Sequence, residues 1–587
     1  MTVAPSNAYY GNVNPDLLAA IPLSALRVLE LGAGAGALGA AFKRRNPKAY
    51  WCGIECVAQA AQQAGKRLDA VFHADVEAVN ALPWSDWQDQ WDVVVCGDVL
   101  EHLRDPWAVL VRLAQCLRPG GIFLACVPNI GHWSVIQALL EGRFDYTEQG
   151  LLDRTHLRFF TAPSIISLVK GAGLEPLSLR ARPFALNQEG FEAFFTDLAP
   201  WVARHTKAAQ GLRERLLSLQ YVVRARRHQP LDPHKHANPT ETARGMPRLV
   251  IAMVAMAPGF ADVRTRLPLA AYASLADVQV HYFERSAAIP DIDPAIPKVV
   301  VVQRHLPDTE SSWLEMVARL SAKGWLVLAE WDDHPDLFAP SIRQNFDRAP
   351  WASVKGAHGV ITTTSTLAEV ISAVRGDDRV LVFENQLLEL PAQSVWQVQQ
   401  ERLQGQAQAL IRVFYGALNR SAEGVALMKT IAPVFERHKQ LELLVLQDKL
   451  VFEAAAIQQK HFEAACNYQS YHRLLSSAQI ALMPLAPGLP NACKSDLKFV
   501  ECASHGMAVI ASETVYARVI RDGHNGLLAK DVESFAQALE RLAAEPLKAK
   551  TMGECAREEI SERRLWSHCL EARVDALVRA WSSWRKH

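Results

Sequence analysis

Short apolar segments alternate with longer amphipathic segments along most of this 587-residue chain. The alternation fills two stretches, one from about residue 27 to residue 179 and one from residue 248 almost to the C-terminus. Strands that alternate with helices build a parallel sheet covered by helices on both faces, so the pattern predicts an α/β fold. One hydrophobic core stops growing well below this chain length, and we therefore expect several domains.

The segment between the two stretches predicts a linker at 226–247, because it is polar, rich in proline and histidine, and lacks periodicity. We expect residues 1–225 to form the first domain, closed by a helical segment at 191–224. The second stretch divides at a glutamine-rich segment. This division predicts two successive α/β lobes, 248–395 and 396–587, with a cleft between them.

Composition and the apolar segments indicate which kinds of binding partner and which cellular compartment to expect for this protein. Lysine plus arginine and aspartate plus glutamate both number 62, which argues against a nucleic acid as the main partner. The first residues show neither the basic start nor the apolar run of a signal peptide, and the longest apolar run, near residues 249–257, is too short to cross a bilayer. No cluster of ligands predicts a metal site. We expect a cytoplasmic protein, with peripheral contact at the inner membrane face left open.

The sequence RVLELGAGAGALG, starting at Arg27, predicts a buried strand, a glycine-rich turn and a helix. Gly32, Gly34 and Gly36 allow a tight turn and a close approach of a ligand to the backbone. The same spacing also fits a dinucleotide-dependent oxidoreductase, so the loop alone does not identify the ligand.

Three acidic residues favour S-adenosylmethionine as that ligand. Glu30, just before the first glycine, suits a cationic ammonium group and would repel a pyrophosphate. Glu55 ends the next predicted strand, where a carboxylate accepts hydrogen bonds from a ribose diol. Asp75 follows the third strand and is placed to reach the adenine edge.

With the segments WDVVVCGDVLEHLRDPW and LRPGGIFLACVPN, residues 26–179 resemble the class I S-adenosylmethionine-dependent methyltransferases. The resemblance implies a Rossmann-like domain with S-adenosylmethionine as cofactor. It implies a cofactor pocket lined by Glu30, Gly32, Gly34, Glu55, Asp75 and Asp98. The block after the fifth strand resembles the methyltransferase domains of bacterial polysaccharide and O-antigen gene products, which implies O-methylation of a sugar hydroxyl.

Methylation of a hydroxyl needs a group that takes its proton, and histidine suits this role near neutral pH. The candidates are His102, His132 and His156. We favour His156 because charged residues flank it, namely Asp153, Arg154 and Arg158. A structural role for His156 is an equally open interpretation.

The last lobe contains two segments typical of anion binding. FYGALNRSAEG places Gly416 at the end of a strand and Arg420 at the start of a helix. NACKSDLKFVECASHGMAVIAS predicts a helix whose first turn contains four polar residues: Lys494, Ser495, Asp496 and Lys498. Amide groups at a helix start, together with lysines, hold an anion such as a diphosphate.

Glu501 lies two turns after Lys494 on the same predicted helix face, where it is placed to hold a ribose diol. This arrangement resembles the nucleotide-sugar glycosyltransferases of the GT-B fold, particularly glycosyltransferase family four, over residues 248–564. The resemblance implies a nucleotide-sugar donor on the last lobe and a glycan or lipid-linked glycan as acceptor. The family often has a second glutamate where this chain has Cys493, which leaves a retaining or an inverting reaction open.

The sequence WLVLAEWDDHPDLF places Asp332, Asp333 and His334 at the end of a predicted strand, where α/β sites lie. Asp333 and His334 are candidates for acceptor contact or for the base, and a helix-capping role is an equal alternative.

The combined hypothesis is a bifunctional transferase that methylates and glycosylates a cell-surface polysaccharide. One alternative is a glycosyltransferase whose first domain binds the cofactor without turnover, as a regulatory or docking module. Another is a nicotinamide-dependent oxidoreductase in the first domain. The donor sugar, the acceptor, the order of the reactions and the oligomeric state remain open at this point.

Overall fold

The computed structural model describes residues 11–78, 81–183, 190–206, 209–228, 246–256, 262–285, 288–402, 410–416 and 420–586. The chain forms two compact units, Met1–Met246 with Ala273–Ala276 and Pro247–Tyr272 with Asp277–His587. Most of the predicted linker, residues 229–245, lies outside the described residues.

The first unit contains one sheet of seven strands. They are β1 (Arg27–Leu31), β2 (Tyr50–Glu55), β3 (Ala70–His73), β4 (Trp91–Gly97), β5 (Leu117–Pro128), β6 (Leu174–Pro183) and β7 (Ser218–Arg227). Their order in the sheet is β3-β2-β1-β4-β5-β7-β6, and β7 runs antiparallel to both of its neighbours. The five-strand parallel part confirms the Rossmann-like fold expected for this domain.

Helices connect these strands. They are α1 (Pro15–Ala20), α2 (Ala37–Arg45), α3 (Ala58–Ala64), α4 (Trp84–Trp87), α5 (Pro106–Cys116), α6 (Trp133–Leu140), α7 (Ala162–Gly171), α8 (Phe191–His205) and α9 (Leu212–Leu217). Local sequence explains where α5 begins: Asp105 accepts a 3.0 Å hydrogen bond from the amide of Ala108, and Pro106 takes the first helical position.

The expected helical segment at 191–224 is wrong for its last residues, because β7 begins at Ser218. Tyr221, Val223 and Ala225 are buried in this strand, and β5 and β6 satisfy its backbone on both sides. The arginines of SLQYVVRARR disguise the strand in the sequence. One of them, Arg226, forms an ion pair with Glu175 of β6 at 2.8 Å.

The second unit contains two parallel sheets of six strands each. The first has β8 (Leu249–Ala255), β9 (Val278–Glu284), β10 (Lys298–Gln303), β11 (Leu326–Glu330), β12 (Gly359–Thr362) and β13 (Val380–Val382), in the order β13-β12-β11-β10-β8-β9. The second has β14 (Ile411–Gly416), β15 (Leu441–Leu446), β16 (Lys460–Glu463), β17 (Ile480–Met483), β18 (Ala508–Ser512) and β19 (Leu527–Ala529), in the order β16-β15-β14-β17-β18-β19. Two doubly wound lobes confirm the GT-B prediction. The edge strand β16 was not predicted, because it is short and polar.

Helices cover both sheets of this unit. They are α10 (Leu267–Ala273), α11 (Glu310–Ala322), α12 (Pro340–Phe346), α13 (Ala352–Gly356), α14 (Ser365–Arg375), α15 (Val395–Arg402), α16 (Ser421–Arg437), α17 (Lys449–Ala454), α18 (Tyr468–Leu475), α19 (Leu489–Ala492), α20 (Leu497–Ser504), α21 (Glu513–Tyr516), α22 (Val532–Ala544), α23 (Pro546–Arg563) and α24 (Leu570–Trp584).

The last helix, α24, packs against the first lobe of this unit rather than the second. The indole Nε1 of Trp581 donates to the carbonyl of Gly324 at 3.0 Å, and the guanidinium of Arg573 lies 5.0 Å from the ring centre of Phe383. The sequence placed all of 396–587 in the last lobe. The chain instead returns to the first lobe at its end, because α24 buries Leu577 and Trp581 there.

Among the described residues, we find no helix that is both long and apolar enough to cross a membrane.

Candidate active sites

The glycine-rich loop joins β1 to α2 at the carboxyl edge of the first sheet. Gly32, Gly34 and Gly36 have φ angles of 73°, 53° and 78°, all in the left-handed region that favours glycine. A Cβ atom on Gly32 would lie 2.3 Å from Cγ2 of Val99. The loop therefore leaves no room for side chains at Gly32, and its backbone is exposed to a ligand at close range.

Glu55 ends β2 and holds this loop in place. Its Oε2 accepts the amide of Gly34 at 2.8 Å, and its Oε1 accepts the amide of Val57 at 2.8 Å. The carboxylate is 5% exposed. A carboxylate accepts about four hydrogen bonds, so lone pairs remain for the hydroxyls of a ribose.

Glu30 is less accessible than its predicted role requires. It is buried within β1, and its Oε2 accepts the indole Nε1 of Trp51 at 2.8 Å. Burial raises the pKa of Glu30 to about 8, and the charge of Glu55 adds to this effect. The predicted partner of the cofactor's ammonium group is therefore engaged by an indole in this structure.

Asp75 and Asp98 follow β3 and β4 at the same edge of the sheet. Asp75 is exposed, and its Oδ1 accepts the amide of Glu77 at 2.9 Å. Asp98 has a φ of 53°, and its Oδ1 accepts the side-chain amide of Gln220 at 2.5 Å. Burial raises the pKa of Asp98, against the opposing charge of Arg182.

The structure separates the three candidate histidines. His102 and His156 lie together, with ring centres 4.9 Å apart and planes at 71°. His132 instead caps α6, where its Nδ1 accepts the amide of Ser134 at 3.3 Å. Burial lowers the pKa of His156, and the charge of His102 adds to this, so His156 is neutral at pH 7.

The charged residues that flank His156 in the sequence have hydrogen-bond and ion-pair partners of their own. Asp153 accepts hydrogen bonds from the amide and hydroxyl of Thr155, at 2.8 and 2.7 Å. Arg154 pairs with Glu148 at 2.7 Å, away from the imidazole. The group that joins the two histidines is Glu101, which the sequence reasoning missed although it lies in the DVLEHL motif.

In the last lobe, the predicted cations converge at the carboxyl end of β14. The ammonium of the half-buried Lys498 donates to the carbonyl of Gly416. A guanidinium nitrogen of Arg420 donates to the carbonyl of Pro484 at 3.1 Å. Burial lowers the pKa of Lys498 to about 7, and the charges of Arg420 and then Lys494 act in the same direction. Positive groups at this end of the sheet favour the binding of an anion.

Glu501 is buried on α20, three residues after Lys498. Its Oε2 accepts the hydroxyl of Tyr471 at 3.0 Å. Burial raises the pKa of Glu501 to about 7, whereas the hydrogen bond from Tyr471 and the charge of Lys498 lower it. The sequence offered no signal for Tyr471, because it lies 30 residues earlier on α18.

The helix at this site begins later than predicted. Asp496 is the N-cap and Leu497 the first helical residue, so Lys494 and Ser495 lie in the preceding turn. The side chain of Asp496 is bound by the guanidinium of Arg564 at 2.9 Å, which fixes this turn. Lys494 is therefore not on the helix face of Glu501. It reaches the other lobe, where its Nζ lies 3.2 Å from Oδ1 of Asp333.

Asp332 and Asp333 follow β11, as predicted for a strand end, and both bind Arg304. The guanidinium of Arg304 donates to Oδ1 of Asp332 at 2.9 Å and to Oδ2 of Asp333 at 3.0 Å. His334 caps a short turn, with its Nδ1 accepting the amide of Asp336 at 3.3 Å. Arg304 directly follows the apolar segment KVVVVQ, and a charge in that position was a signal that the sequence reasoning passed over.

Asn385 connects the two lobes. Its Nδ2 donates to the hydroxyl of Ser495 at 2.9 Å, and its Oδ1 accepts from Arg264 at 2.7 Å. Its carbonyl accepts from Arg564 at 2.9 Å. The turn that contains Lys494 is thus held from the first lobe.

Cys493 lies directly before Lys494, in the turn that precedes α20. Its side chain is fully buried, and its carbonyl accepts the hydroxyl of Thr364 at 2.9 Å. The cysteine therefore offers no carboxylate to a sugar, and Lys494 is the next group along the chain that faces the cleft.

Comparisons with known proteins agree with this division. Residues 11–179 match the sequence model of a family described as a methyltransferase domain, and residues 410–545 match one described as glycosyl transferases group 1. The ubiquinone biosynthesis O-methyltransferase of Cereibacter sphaeroides (strain ATCC 17029) is 27% identical over 176 residues, which are 29% of this chain and 68% of that protein. The enzyme of that name from Dinoroseobacter shibae is 29% identical over 184 residues, 30% of this chain and 70% of that protein.

Among solved structures, Anabaena Alr3699/HepE in complex with UDP and glucose is 12% identical, with a TM-score of 0.40, over 56% of this chain and 99% of that chain. Burkholderia thailandensis 1,6-didemethyltoxoflavin-N1-methyltransferase with bound S-adenosylhomocysteine is 18% identical, with a TM-score of 0.22, over 36% and 72%. The two family matches confirm a transferase with a methyltransferase domain and a glycosyltransferase domain. The cofactor of the former is S-adenosylmethionine, and the donor of the latter is a nucleotide sugar.

Proposed function

We propose that this chain is a bifunctional transferase that O-methylates a sugar hydroxyl and adds a sugar residue during the synthesis of a cell-surface polysaccharide. The observation that carries the proposal is the presence of a complete set of binding groups in each half. The first half has the glycine cradle closed by Glu55, and the second has Arg420, Lys494 and Lys498 around one point. Each set suits a different nucleotide-containing molecule.

In the methyltransferase half, Glu30, Glu55, Asp75 and Asp98 and the three glycines hold the cofactor. Glu55 binds the ribose, and the loop amides between Gly32 and Gly36 lie against the rest of the nucleoside. S-adenosylmethionine supplies an electrophilic methyl group on sulfur. The acceptor oxygen must lose its proton as it takes that methyl group, and the pair of His102 and His156 at the end of β4 is where the proton is removed.

The choice of oxygen as the methylated atom has support from the relatives, which are named as O-methyltransferases. A neutral imidazole at pH 7 also suits a hydroxyl acceptor, because it can accept a proton. The acceptor is a glycan or a lipid-linked glycan.

In the glycosyltransferase half, the donor diphosphate lies among Arg420, Lys494 and Lys498, and its ribose lies against Glu501. Negative charge grows on the leaving diphosphate as the glycosidic bond breaks. Cations fixed at that point stabilise the transition state more than the ground state. Asp333 and His334 face the acceptor from the other lobe, and Asp333 already contacts Lys494.

We place these reactions in the cytoplasm, on acceptors at the inner membrane face, with no nucleic acid as partner. The equal numbers of basic and acidic residues support the last point alone, because a protein that binds nucleic acid carries excess positive charge.

One observation favours the alternative, in which the first domain binds the cofactor without turnover. Glu30 is buried and bound by Trp51, so the cofactor's ammonium group must compete with that hydrogen bond. Measured methyl transfer decides between the two functions.

The test uses the full chain, incubated with S-adenosylmethionine, a panel of nucleotide sugars and lipid-linked glycan extracted from cells that lack the protein. Mass spectrometry should show products heavier by one methyl group and by one sugar residue. Glu55→Ala should reduce only the first product, at S-adenosylmethionine concentrations below saturation, and Lys494→Ala only the second. Glycosylated product without any methylated product would favour the docking function, and neither product would reject the proposal.

A further inference from the structure

We propose that Glu101, His102 and His156 form a binding site for a divalent first-row transition-metal ion, although the sequence predicted no metal site. One ligand atom from each residue, a carboxylate oxygen and two imidazole nitrogens, lies within 4.8 Å of the others. Three such atoms from separate positions of the chain match the number that a catalytic metal site takes from the protein.

The carboxylate of Glu101 is the strongest sign of a missing partner. The residue is 1% exposed, and neither Oε1 nor Oε2 has a hydrogen-bond partner among the described residues. A buried carboxylate without hydrogen bonds is strongly destabilising, so such groups are nearly always paired with a cation or coordinate a metal. The two imidazoles lie near this carboxylate. Among the described residues, no lysine or arginine side chain forms an ion pair with it.

The two imidazoles are oriented for ligation. Nδ1 of His102 lies 3.1 Å from the carbonyl of Thr155, and Nδ1 of His156 lies 3.2 Å from the carbonyl of Leu151. A carbonyl only accepts hydrogen bonds, so each ring carries its proton on Nδ1 and its lone pair on Nε2. Metal-bound histidines are held in this way by a backbone carbonyl on the second nitrogen.

Backbone hydrogen bonds bring the two halves of the site together. The amides of Leu157 and Arg158 donate to the carbonyl of Glu101 at 2.8 and 2.9 Å. The segment that carries His156 is therefore fixed to the turn after β4 that carries Glu101 and His102. Main-chain hydrogen bonds therefore hold the three proposed ligands near one another.

The ligand set selects the kind of ion. Two imidazoles and one carboxylate suit Zn²⁺, Mn²⁺, Fe²⁺ or Co²⁺, whereas Mg²⁺ and Ca²⁺ prefer oxygen ligands throughout. Three protein ligands leave at least one position open.

The open position gives the ion a role that rests on the proposed O-methylation. An acceptor hydroxyl bound there would have a lowered pKa and release its proton to solvent, so the ion would perform the deprotonation that we assigned to the histidine pair. Ion binding itself does not depend on that reaction, and the two are measured separately.

In the experiment, metals are first removed from the full chain with a chelator. The chain is then titrated with Mn²⁺, and binding is measured as loss of the electron paramagnetic resonance signal of free Mn²⁺. Mn²⁺ is chosen because it binds thiols weakly, and this chain has ten cysteines. We expect one Mn²⁺ per chain, displaced by Zn²⁺. Glu101→Gln, His102→Gln and His156→Gln should each weaken Mn²⁺ binding by more than about 100-fold. Loss of a residue that only hydrogen-bonds to a metal ligand already lowers metal affinity by about 10- to 100-fold.

Two controls address other histidines. Substitution of His228, His234 and His236 removes the histidine-rich segment, and His205→Gln removes an exposed histidine on α8. Both should leave Mn²⁺ binding unchanged. Calorimetry with S-adenosylmethionine on every variant reports whether the domain is folded and whether the proposed cofactor still binds.

The proposal is overturned if the wild-type chain binds no Mn²⁺ and no Zn²⁺ while it binds S-adenosylmethionine, which would mean that Glu101 instead shares a proton with an imidazole. It is also overturned if the substitutions of His228, His234 and His236 abolish binding and those of Glu101, His102 and His156 do not. Retained ion binding without methyl transfer would reject the proposed function and leave the metal site standing. Because His102 is partly exposed, His102→Gln keeps the test valid even if Glu101→Gln fails to fold.

Discussion

Glu55 and Glu501 are assigned the same task, holding a ribose, but the two halves of the molecule build their sites differently. Both oxygens of Glu55 bind backbone amides, at 2.8 Å each, so the first site is made mainly of main chain. Glu501 is bound by the side chain of Tyr471, and its neighbours are the side chains of Lys498 and Arg420. The first site is held by backbone geometry, and the second by buried charges.

This difference determines how each site responds to change. Backbone amides do not titrate, so the glycine loop itself is insensitive to pH and fails mainly when its backbone is distorted. A site built from buried charges depends on the protonation of each group and on residues from both lobes, such as Asn385 and Asp333. Four substitutions test this contrast, in order of decreasing expected effect.

The largest effect is expected from His156→Ala. Methyl transfer by the full chain should fall by about 10²- to 10⁴-fold, because the imidazole takes part in removing the acceptor proton, as a base or as the ligand of an ion that acidifies the hydroxyl. Cofactor affinity measured by calorimetry should stay within about twofold, since the glycine loop and Glu55 are untouched. Glycosyl transfer by the same preparation is the internal control, and it should not change. Undiminished methyl transfer would show that neither role belongs to His156.

Lys494→Ala is expected to have the next largest effect, and only on the second site. Glycosyl transfer should fall by about 10²- to 10³-fold, because the lysine faces the charge that grows on the leaving diphosphate. Binding of the intact donor should weaken much less, since the ground state carries less of that charge. Lys449→Ala, which removes an exposed lysine of the same lobe, is the matched control. An equal loss of donor binding and of transfer would contradict the transition-state role.

Glu55→Ala tests the main-chain site. The substitution removes the carboxylate that accepts hydrogen bonds from two amides and from the ribose hydroxyls. A hydrogen bond to a charged group contributes about 1.5 to 3 kcal/mol, so S-adenosylmethionine should bind roughly 10- to 100-fold more weakly, as measured by calorimetry. Asp75→Ala changes an exposed acid at the neighbouring strand end and should cost less. If both substitutions weaken binding equally, the clamp on the loop is not what sets the affinity.

The sequence could predict the first site more fully than the second, for the same physical reason. The glycines, Glu55 and Asp98 lie directly after strands, and strand ends of a parallel sheet meet at one edge, so local pattern was sufficient. The burial of Glu30 against Trp51 was not predictable, because it depends on how β1 and β2 pair. Likewise, β7 was hidden by its arginines, one of which, Arg224, donates to the carbonyl of Ala20 at 2.6 Å.

In the second site, the residues that were missed come from distant positions. Tyr471 reaches Glu501 from another helix, and Arg564 reaches Asp496 from α23. The helix start was predicted too early because a run of polar residues resembles a capped first turn, whereas here Asp496 is bound by Arg564 and the turn continues. Arg304 reaches Asp333 from a neighbouring strand end of the same lobe, and the carbonyl of the buried Cys493 is bound by Thr364 of the other lobe.

The smallest effect, and the most specific test of the contrast, is expected from Tyr471→Phe. Glu501 must be ionised to accept hydrogen bonds from a ribose, and burial raises its pKa to about 7, so donor binding should weaken as the pH falls through 7. Lys498 must be protonated to hold the diphosphate, and burial lowers its pKa to about 7, so binding should also weaken as the pH rises through 7.

The hydrogen bond from Tyr471 stabilises the ionised form of Glu501, and its loss should raise the pKa of Glu501 by roughly one unit, since a bond to a charged group is worth about 1.5 kcal/mol. The acid limb of the donor-binding profile should then move upward by about one pH unit while the alkaline limb stays in place, which at pH 7 weakens binding by about fivefold. Tyr468→Phe, the same change one turn earlier on α18, should leave both limbs where they are, and S-adenosylmethionine binding to the same variant should keep its wild-type pH profile. A donor-binding profile that does not move on loss of the Tyr471 hydroxyl would mean that the charge of Glu501 does not govern the second site.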